Sequence, residues 1–564
     1  MKKRYAVLGI ALTAALALTG CTAGGSTAQN GNGVSGEPVK GGTLHVLQNA
    51  DFSHLDPTMG FDGGVNNMYR LIYRTLTTQS TGEGAEGTEM VPDLATDLGT
   101  PNADATEWTF TLKDDIFFED GSPITSADVK FGVERAFDPA LAIGSPYARI
   151  LLAGADDYQG PYISGDMPAI QTPDDKTIVF SLSKPFADFA SAVGQNVFVP
   201  FPADGDVTAT SVDQQPIASG PYRVESYQRG SELVLVRNEH WDPKTDEVRK
   251  AYPDSFVWTF GLDSSTVDER MIAGQGDDKD AIAGSVQAAS IPRIQTDEIK
   301  ERTISGIQGC TTYLGLNTTK EVMSDPLVRQ AISYAVDKVS VQSGTGGTLL
   351  ADVANTMLPP TVAGQTEFNL YQSDDDKGDP EKAKSLLTEA GYPDGIEFTM
   401  DIRNQPKMQA QAEAVQQSLA KAGITVNFNL IDTSTYYEVI GTTTQQNDAA
   451  ITGWCPDWAT GATFLPPLFE GSQIYEKGNS NIAQLNDPGV NSRITEINAM
   501  TDVDEANKAW GALDEQILEL APAVPLLFEK TVMVVGSNIA GAYSHAGFSG
   551  GIDYVSVGLA SVPE

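Results

Sequence analysis

One short motif in this sequence has the spacing of a catalytic nucleophile. The run from Gly547 to Gly551 (GFSGG) matches the turn that exposes a reactive serine in α/β hydrolases. In that fold the histidine base follows the serine along the chain, whereas all four histidines here precede it: His45, His54, His240 and His545. We therefore interpret the motif as a glycine-rich turn, and we keep a secreted serine hydrolase only as an alternative.

Other catalytic and cofactor motifs are also poorly supported. Gly31 to Gly36 (GNGVSG) has the glycine spacing of dinucleotide-binding loops, but it lies in a polar segment without the strand and helix that aim such a loop. The sequence contains neither a Gly-Lys-Ser/Thr phosphate loop nor a His-Glu-x-x-His zinc motif. Its few scattered histidines and cysteines make a poor set of metal ligands. We predict no catalytic residues, no cofactor and no metal site.

The N-terminus has the pattern of a secretion signal. Basic residues at positions 2–4 precede an apolar run from Tyr5 to Leu18. That run is about 14 residues long, shorter than the ~20 residues that a membrane-spanning helix needs. We predict a signal peptide over residues 1–20.

A lipid attachment site is predicted directly after the signal. Leu18 to Cys21 (LTGC) resembles the lipobox of bacterial lipoproteins, in which the cysteine is acylated and becomes the first mature residue. Residues 21–40 contain mostly small and polar side chains, which is typical of a flexible linker. We expect Cys21 to tether the protein to the outer face of the cytoplasmic membrane.

The net charge and the cysteines further narrow the class of protein. The formal net charge is −39, and a surface this acidic repels nucleic-acid phosphates, so we predict no nucleic-acid partner. Beside Cys21 the chain has two cysteines, Cys310 and Cys455. In an oxidising compartment they are a candidate disulfide, although their spacing alone leaves open whether they meet.

Strands and helices are predicted throughout the chain. Alternating or clustered apolar residues predict strands at 42–48, 108–112, 424–431 and 449–454. Helical spacing predicts helices at 128–137, from Asp325-Pro326, from Asp379-Pro380 to Gly391, at about 408–422, and on a face formed by Trp510, Leu513, Ile517 and Leu520.

A series of segments in order along nearly the whole mature chain resembles one family, the family 5 solute-binding proteins of peptide ABC transporters (oligopeptide- and dipeptide-binding type). The strongest block joins Trp108 to Lys113 with Phe118 to Val129. The other segments are Gly41 to Leu44, Leu55 to Pro57, Leu71 to Leu76, Val91 to Ala95, Gly220 to Tyr222, Arg237-Asn238 with Trp241, Leu316 to Thr318, and Val328 to Ile332.

The resemblance implies an α/β protein with a two-lobed periplasmic-binding-protein-like fold (type II, cluster C) that closes on its ligand about a hinge. It also implies an additional domain within the first lobe. The corresponding boundaries are 41–75, 215–309 and 526–564 for the first lobe, 76–214 for the additional domain, and 310–525 for the second lobe.

The resemblance also implies which residues meet the ligand. Asp457 lies where peptide-binding members have the aspartate that pairs with the ligand ammonium, and burying an unpaired cation would be costly. Trp454 and Trp458 would supply flat apolar walls on either side of it. Arg403 falls near the position at which dipeptide-binding members bind the ligand carboxylate with an arginine.

Main-chain contacts and a disulfide follow from the same resemblance. Gly453 and Cys455 would pair with the backbone of an extended ligand on one side, and Phe61 to Gly63 would do so on the other. Cys310 and Cys455 match a cysteine pair that is disulfide-linked in oligopeptide-binding members. These contacts read the shape of a peptide more than its side chains, so we expect broad specificity.

Taken with the N-terminus, these features predict a lipid-anchored extracytoplasmic receptor that captures peptides and delivers them to the permease subunits of an ABC importer. We expect a monomer without enzymatic activity. Pro456 and residues 459–463 depart from the family pattern. The same receptor fold holding an oligosaccharide or another small solute therefore remains an alternative.

Overall fold

Aspartate-proline pairs start several helices, because the carboxylate caps free backbone amides and proline suits the first helical turn. Asp325 accepts a hydrogen bond from Leu327 N at the start of the helix Pro326–Ala335. Asp379 does the same for Lys382 N at the start of Pro380–Glu389. The computed structural model describes residues 36–61, 63–204, 207–208 and 210–562.

The strands in chain order are β1 (Thr43–Leu47), β2 (Thr77–Gln79), β3 (Met90–Pro92), β4 (Thr100–Pro101), β5 (Glu107–Thr111), β6 (Ile170–Gln171), β7 (Thr177–Ser181), β8 (Tyr222–Gln228), β9 (Glu232–Arg237), β10 (Ser255–Thr259), β11 (Ala281–Ala283), β12 (Thr303–Leu316), β13 (Ala351–Val353), β14 (Ile396–Arg403), β15 (Ile424–Ile431), β16 (Ala449–Trp454), β17 (Ala523–Val534), β18 (Ile539–Ala540), β19 (Ser544–His545), β20 (Gly551–Ile552) and β21 (Gly558–Leu559).

The α-helices in chain order are α1 (Gly63–Ile72), α2 (Ala85–Thr88), α3 (Ser126–Arg135), α4 (Tyr147–Leu151), α5 (Pro161–Ser164), α6 (Phe189–Ala192), α7 (Ser264–Ala273), α8 (Asp297–Lys300), α9 (Pro326–Ala335), α10 (Lys338–Thr345), α11 (Pro380–Glu389), α12 (Pro406–Lys421), α13 (Tyr436–Ile440), α14 (Leu465–Phe469), α15 (Pro488–Asn498) and α16 (Val503–Glu519).

Three sheets of four or more strands organise the molecule, each with its own hydrophobic core. The five-stranded region has the sheet order β11-β1-β10-β9-β8, and its core residues come from 44–73, 199–304 and 532–559. The four-stranded region has the order β4-β5-β7-β6, and its core is drawn almost entirely from 76–198. The six-stranded region has the order β13-β17-β12-β16-β14-β15, with cores drawn mainly from 313–527.

Strands β12 and β17 carry the chain between the five-stranded and six-stranded regions. They pair antiparallel from Thr303↔Val534 to Gly315↔Ala523. Ile304 and its partner Met533 lie in the core of the five-stranded region, whereas Leu314 lies in that of the six-stranded region. Two adjacent paired strands thus form the covalent connection between these regions.

The pairing of β12 with β17 is interrupted between Ile307 and Thr311. Gly309 lies in this bulge with a φ of 77°, a conformation that glycine adopts without strain. A Cβ at this position would also lie 3.0 Å from Ala546 O. The bulge brings Cys310 to the side of the sheet where β16 ends.

The elements predicted from apolar patterning are confirmed, with shifts of one or two residues at some ends. The strands predicted at 424–431 and 449–454 have the bounds of β15 and β16. The helical face of Trp510, Leu513 and Ile517 is buried in α16. Within the described part of the chain, no helix combines the length and apolarity needed to cross a bilayer.

Candidate functional site

The end of β16 leaves an unpaired strand edge. On one side β16 pairs with β12 along its whole length, through Thr312↔Gly453 and Thr311↔Trp454. On the other side β14 pairs with it only at Ala449 and Ala450. Residues 452–454 therefore have no strand on that side within the described residues, and we call them the open edge. Gly453 is exposed there, so an extended chain has access to main-chain groups.

The segment that follows β16 is tied to the crossing strands. Cys455 forms a disulfide with Cys310, and the Cα atoms of the two residues are 4.2 Å apart. The sequence alone left this pairing open; in the structure the bulge of β12 brings the two cysteines together. The disulfide fixes the turn after the open edge to the strand that connects the two regions.

Asp457 is a half-buried carboxylate without a cationic partner among the described residues. Its Oδ2 accepts a hydrogen bond from the Tyr147 hydroxyl, and its main-chain oxygen accepts one from Gln195 Nε2 at 3.3 Å. Burial raises the pKa of the carboxyl above its ordinary value, and the Tyr147 hydrogen bond opposes that rise. A carboxylate in this setting favours an added positive charge, which would restore the ionised form.

Trp458 follows β16 of the six-stranded region, and its side chain packs into the core of the four-stranded region. It is 2% exposed, and its ring centroid lies 4.5 Å from that of Tyr147. The indole Nε1 and the Thr460 hydroxyl both donate to Asp188 Oδ2, and the Ser191 hydroxyl donates to Asp188 Oδ1 at 2.7 Å. These contacts join the two regions directly behind Asp457.

A small polar cavity of about 40 Å³ opens beside Asp457. Arg70 and Gln79 also line it, and both have a buried polar atom, Nε and Oε1 respectively, that lacks a hydrogen-bond partner. Arg70 is held by Asp553 at 2.9 Å, with its guanidinium 4.8 Å from the ring centre of Phe548. The cavity therefore offers groups of both charges.

The two other cavities next to this segment lie around Trp458. One of about 30 Å³ is lined by Cys455, Pro456 and Trp458. The other, of about 470 Å³, is lined by Trp458, Ala459 and Thr460 on one side. The second volume lies in the range of small-molecule pockets.

Not all of the predicted ligand residues lie in these three cavities. Trp454 is half-buried and donates its Nε1 to Thr463 O at 2.9 Å. Phe61 packs against the core of the four-stranded region, and Gly63 begins α1 rather than a strand. Cys21 lies outside the described residues.

Arg403 ends β14, two residues after its last pair with β16. Its guanidinium lies 5.1 Å from the ring centre of Tyr437, its Nε is buried without a hydrogen-bond partner, and no described carboxylate forms an ion pair with it. It lines none of the three cavities but lies on the strand beside the open edge.

The glycine-rich turn predicted at 547–551 forms as such. Ser549 has a left-handed φ of 54°. The adjacent His545 has both ring nitrogens engaged: Nδ1 accepts from Gly547 N at 3.1 Å and Nε2 lies 3.2 Å from Ser80 O. This histidine is therefore occupied by structural contacts rather than free to act as a base for Ser549.

Sequence reasoning missed four residues of the site: Arg70, Tyr147, Asp188 and Gln195. The last three lie in the four-stranded region, more than 250 positions before their partners at 457–460. Arg70 directly precedes the family-like block Leu71 to Leu76, which was its only signal.

The model of the bacterial extracellular solute-binding proteins, family 5, matches residues 89–476. The chain belongs to this family. Its relatives include Heme-binding protein A of Haemophilus influenzae, 26% identical over 75% of this chain and 76% of that protein. Another is the probable D,D-dipeptide-binding periplasmic protein DdpA of Escherichia coli, 26% identical over 88% of this chain and 90% of that protein.

Solved structures agree with this assignment. Clavulanic acid biosynthesis oligopeptide binding protein 2 is 32% identical, with a TM-score of 0.86 over 94% of this chain and 99% of that one. DppA from Helicobacter pylori, solved in complex with the peptide STSA, has the same fold at 23% identity, with a TM-score of 0.65 over 93% of this chain and 99% of that one. The predicted α/β, periplasmic-binding-protein-like fold is confirmed.

Proposed function

We propose that this protein is the extracytoplasmic substrate-binding component of an ABC importer, and that it captures peptides between two lobes and delivers them to the membrane permease without catalysis. Cys21 is the proposed lipid attachment site. The lobes correspond to 41–75, 215–309 and 526–564 with the additional domain 76–214, and to 310–525. Strands β12 and β17 would act as the hinge between them.

The observation that carries the peptide assignment is that the Asp457 carboxylate is half-buried and has no described cationic partner. A half-buried carboxylate that receives one tyrosine hydroxyl and no described cation is suited to the ammonium of a peptide. Arg70 supplies a positive group in the same small cavity, although Asp553 already pairs with it. Asp457 is therefore the residue that we assign to the peptide amino terminus.

The open edge supports an extended ligand. Main-chain pairing at 452–454 would bind any peptide backbone of suitable shape, irrespective of its side chains. Several relatives have names that fit this reading: the DdpA protein is described as D,D-dipeptide-binding and the GsiB proteins as glutathione-binding. Arg403, beside the edge, is the proposed partner of a ligand carboxylate.

An oligosaccharide is less well supported as the cargo. Sugar-binding sites use exposed aromatic faces, whereas Trp458 is 2% exposed and packs against Tyr147 and Phe186. Trp454 already donates a hydrogen bond from its Nε1 to Thr463 O. Titration with cello-oligosaccharides tests this alternative directly.

Calorimetry with trialanine and N-acetyl-trialanine tests the proposal. The two peptides share backbone and side chains, and only the first carries an ammonium. We expect the free peptide to bind at least thirtyfold more tightly, a difference of about 2 kcal/mol. Equal affinities, or no binding by either peptide together with tight binding of a sugar, would overturn the peptide assignment.

A further inference from the structure

The largest of the three cavities does not include Asp457. It measures about 470 Å³ and lies between the four-stranded region and the start of α16. Its apolar walls come from both sides, with Trp108 and Leu98 on one and Trp458 and Val503 on the other. Met90 and Ser191 line both this cavity and the smaller one beside Asp457, so the two are neighbours.

The polar lining of this cavity is negatively charged. Glu89, Asp188 and Asp504 contribute carboxylates, and no described lining residue is a lysine, arginine or histidine. Glu89 and Asp504 are exposed and mark the mouth, whereas Asp188 is 8% exposed and lies at the inner end. The field within the cavity therefore favours a cation.

The Asp188 carboxylate can accept one more hydrogen bond. It accepts hydrogen bonds from Trp458, Thr460 and Ser191, all of them neutral donors. A carboxylate has about four acceptor sites, so these three donors leave one open. No described cation forms an ion pair with it, and a buried carboxylate without a cation is costly.

Trp108 supplies an independent indication of a ligand. It is 2% exposed, and its indole Nε1 is buried without a hydrogen-bond partner. A buried N–H without an acceptor is rare in folded proteins because its lost hydration is not replaced. An acceptor on a bound molecule in this cavity would satisfy it.

We propose that this cavity is a second binding site, for an organic cation that also carries a hydrogen-bond acceptor. An amine or guanidine on an apolar stem has this chemistry. Its charge would face Asp188, its stem would lie along the apolar lining of the cavity, and its acceptor would meet Trp108 Nε1. The cation is either a free molecule or the basic side chain of a peptide held at Asp457.

Titration of the full-length mature protein with 5-amino-1-pentanol tests the site, with 1,5-pentanediol and pentylamine as probes that lack the charge and the acceptor respectively. We expect the amino alcohol to bind at least tenfold more tightly than the diol, and the preference to shrink at high salt. It should also bind severalfold more tightly than pentylamine.

Asp188→Asn is the decisive variant, because the amide oxygen still accepts from Trp458 and Thr460 while the amide NH₂ donates to Ser191. We expect it to abolish the preference for the amino alcohol over the diol. Glu413→Gln, an exposed residue on α12 that lines none of these cavities, is the matched control. Should Asp188→Asn not fold, the double variant Glu89→Gln, Asp504→Asn replaces it. We expect the double variant to reduce the preference for the amino alcohol over the diol at least threefold.

Equal binding of the amino alcohol and the diol by the wild type would overturn the proposal. An unchanged preference in Asp188→Asn, or in the double variant that replaces it, would do the same.

The source of the cation is resolved with two peptides, Lys-Ala-Ala and norleucine-Ala-Ala. A preference for the lysine peptide that disappears in Asp188→Asn identifies the side chain as the cation. Binding of 5-amino-1-pentanol to protein saturated with the norleucine peptide identifies a free molecule. If neither peptide binds, the peptide assignment fails, but the amine titration still decides this proposal.

Discussion

Replacing Asp457 is the most informative perturbation of the proposed peptide site. Asp457→Ala removes the carboxylate and leaves the ligand ammonium without its partner. Asp457→Asn keeps the shape and an acceptor for Tyr147 but removes the charge. Tyr147→Phe keeps the charge and removes only the neutral hydrogen bond. The three variants therefore separate charge from shape.

The expected magnitude follows from the position of Asp457. Two unit charges about 4 Å apart interact by about 4 kcal/mol at the effective dielectric of a site near a protein surface. Water that enters the truncated site recovers part of this energy, so we expect Asp457→Ala to weaken peptide binding by more than about 2 kcal/mol, or about thirtyfold. Asp457→Asn should lose a similar amount, and Tyr147→Phe no more than about 1 kcal/mol.

The pH dependence gives a second readout of the same group. Because burial raises the pKa of Asp457, its carboxyl in the empty protein takes up a proton at a higher pH than an exposed aspartate does. A neutral carboxyl attracts the ammonium weakly, so peptide affinity should fall as the pH drops through this raised pKa. Affinity should fall again above about pH 8, where the peptide amine loses its proton.

Isothermal titration with trialanine from pH 4 to 9 measures both effects. In Asp457→Asn the fall in affinity at low pH should disappear. The fall above about pH 8 should be weak, because the ammonium no longer has a charged partner. Wild-type affinity in the alanine and asparagine variants would refute the argument, because the ammonium would then be bound elsewhere. An acidic limb that persists in Asp457→Asn would assign it to another carboxyl.

Three further predictions concern stability, the disulfide and the anchor. Burial raises the pKa of Asp514 to about 7, so the folded state retains a proton that the unfolded state releases above about pH 4. The free energy of unfolding should therefore fall as pH rises to about 7, by up to about 1.4 kcal/mol per pH unit, and urea unfolding of Asp514→Asn should show a flatter profile. Iodoacetamide should label neither Cys310 nor Cys455 in unreduced, denatured protein and both after reduction; labelling before reduction would contradict the disulfide. Cys21→Ser should move the protein from the detergent phase to the aqueous phase of a Triton X-114 partition, and an unchanged distribution would exclude lipid on this residue.

Local signals in the sequence were sufficient for the elements that carry the site. The bounds of β15 follow from apolar alternation over eight residues, and those of β16 from a cluster of apolar residues within six. The helices after Asp325 and Asp379 follow from a capping carboxylate and a proline at adjacent positions. Both kinds of signal depend on neighbours within one turn or strand, which a sequence displays directly.

Contacts between regions could not be predicted in the same way. Tyr147 and Asp188 reach Asp457 and Trp458 across 310 and 270 positions of sequence. Nothing in the residues around Asp188 indicates that its carboxylate is buried, since aspartates are usually exposed. Trp458 was predicted as a ligand wall; the structure adds that it belongs to a core formed by a distant part of the chain.

The open edge beside β16 limits how many residues of a ligand backbone can pair with the receptor. Its three residues, 452–454, span about 10 Å at the rise of an extended chain. Whatever the total length of a captured peptide, only about three of its residues can then form a ladder with the receptor, and N-methylated or prolyl units within that short window would each forfeit a donor. Apart from the proposed charge contacts with Asp457 and Arg403, cargo beyond the window would be held by shape and water, which favours import of chemically unmodified backbones of many lengths.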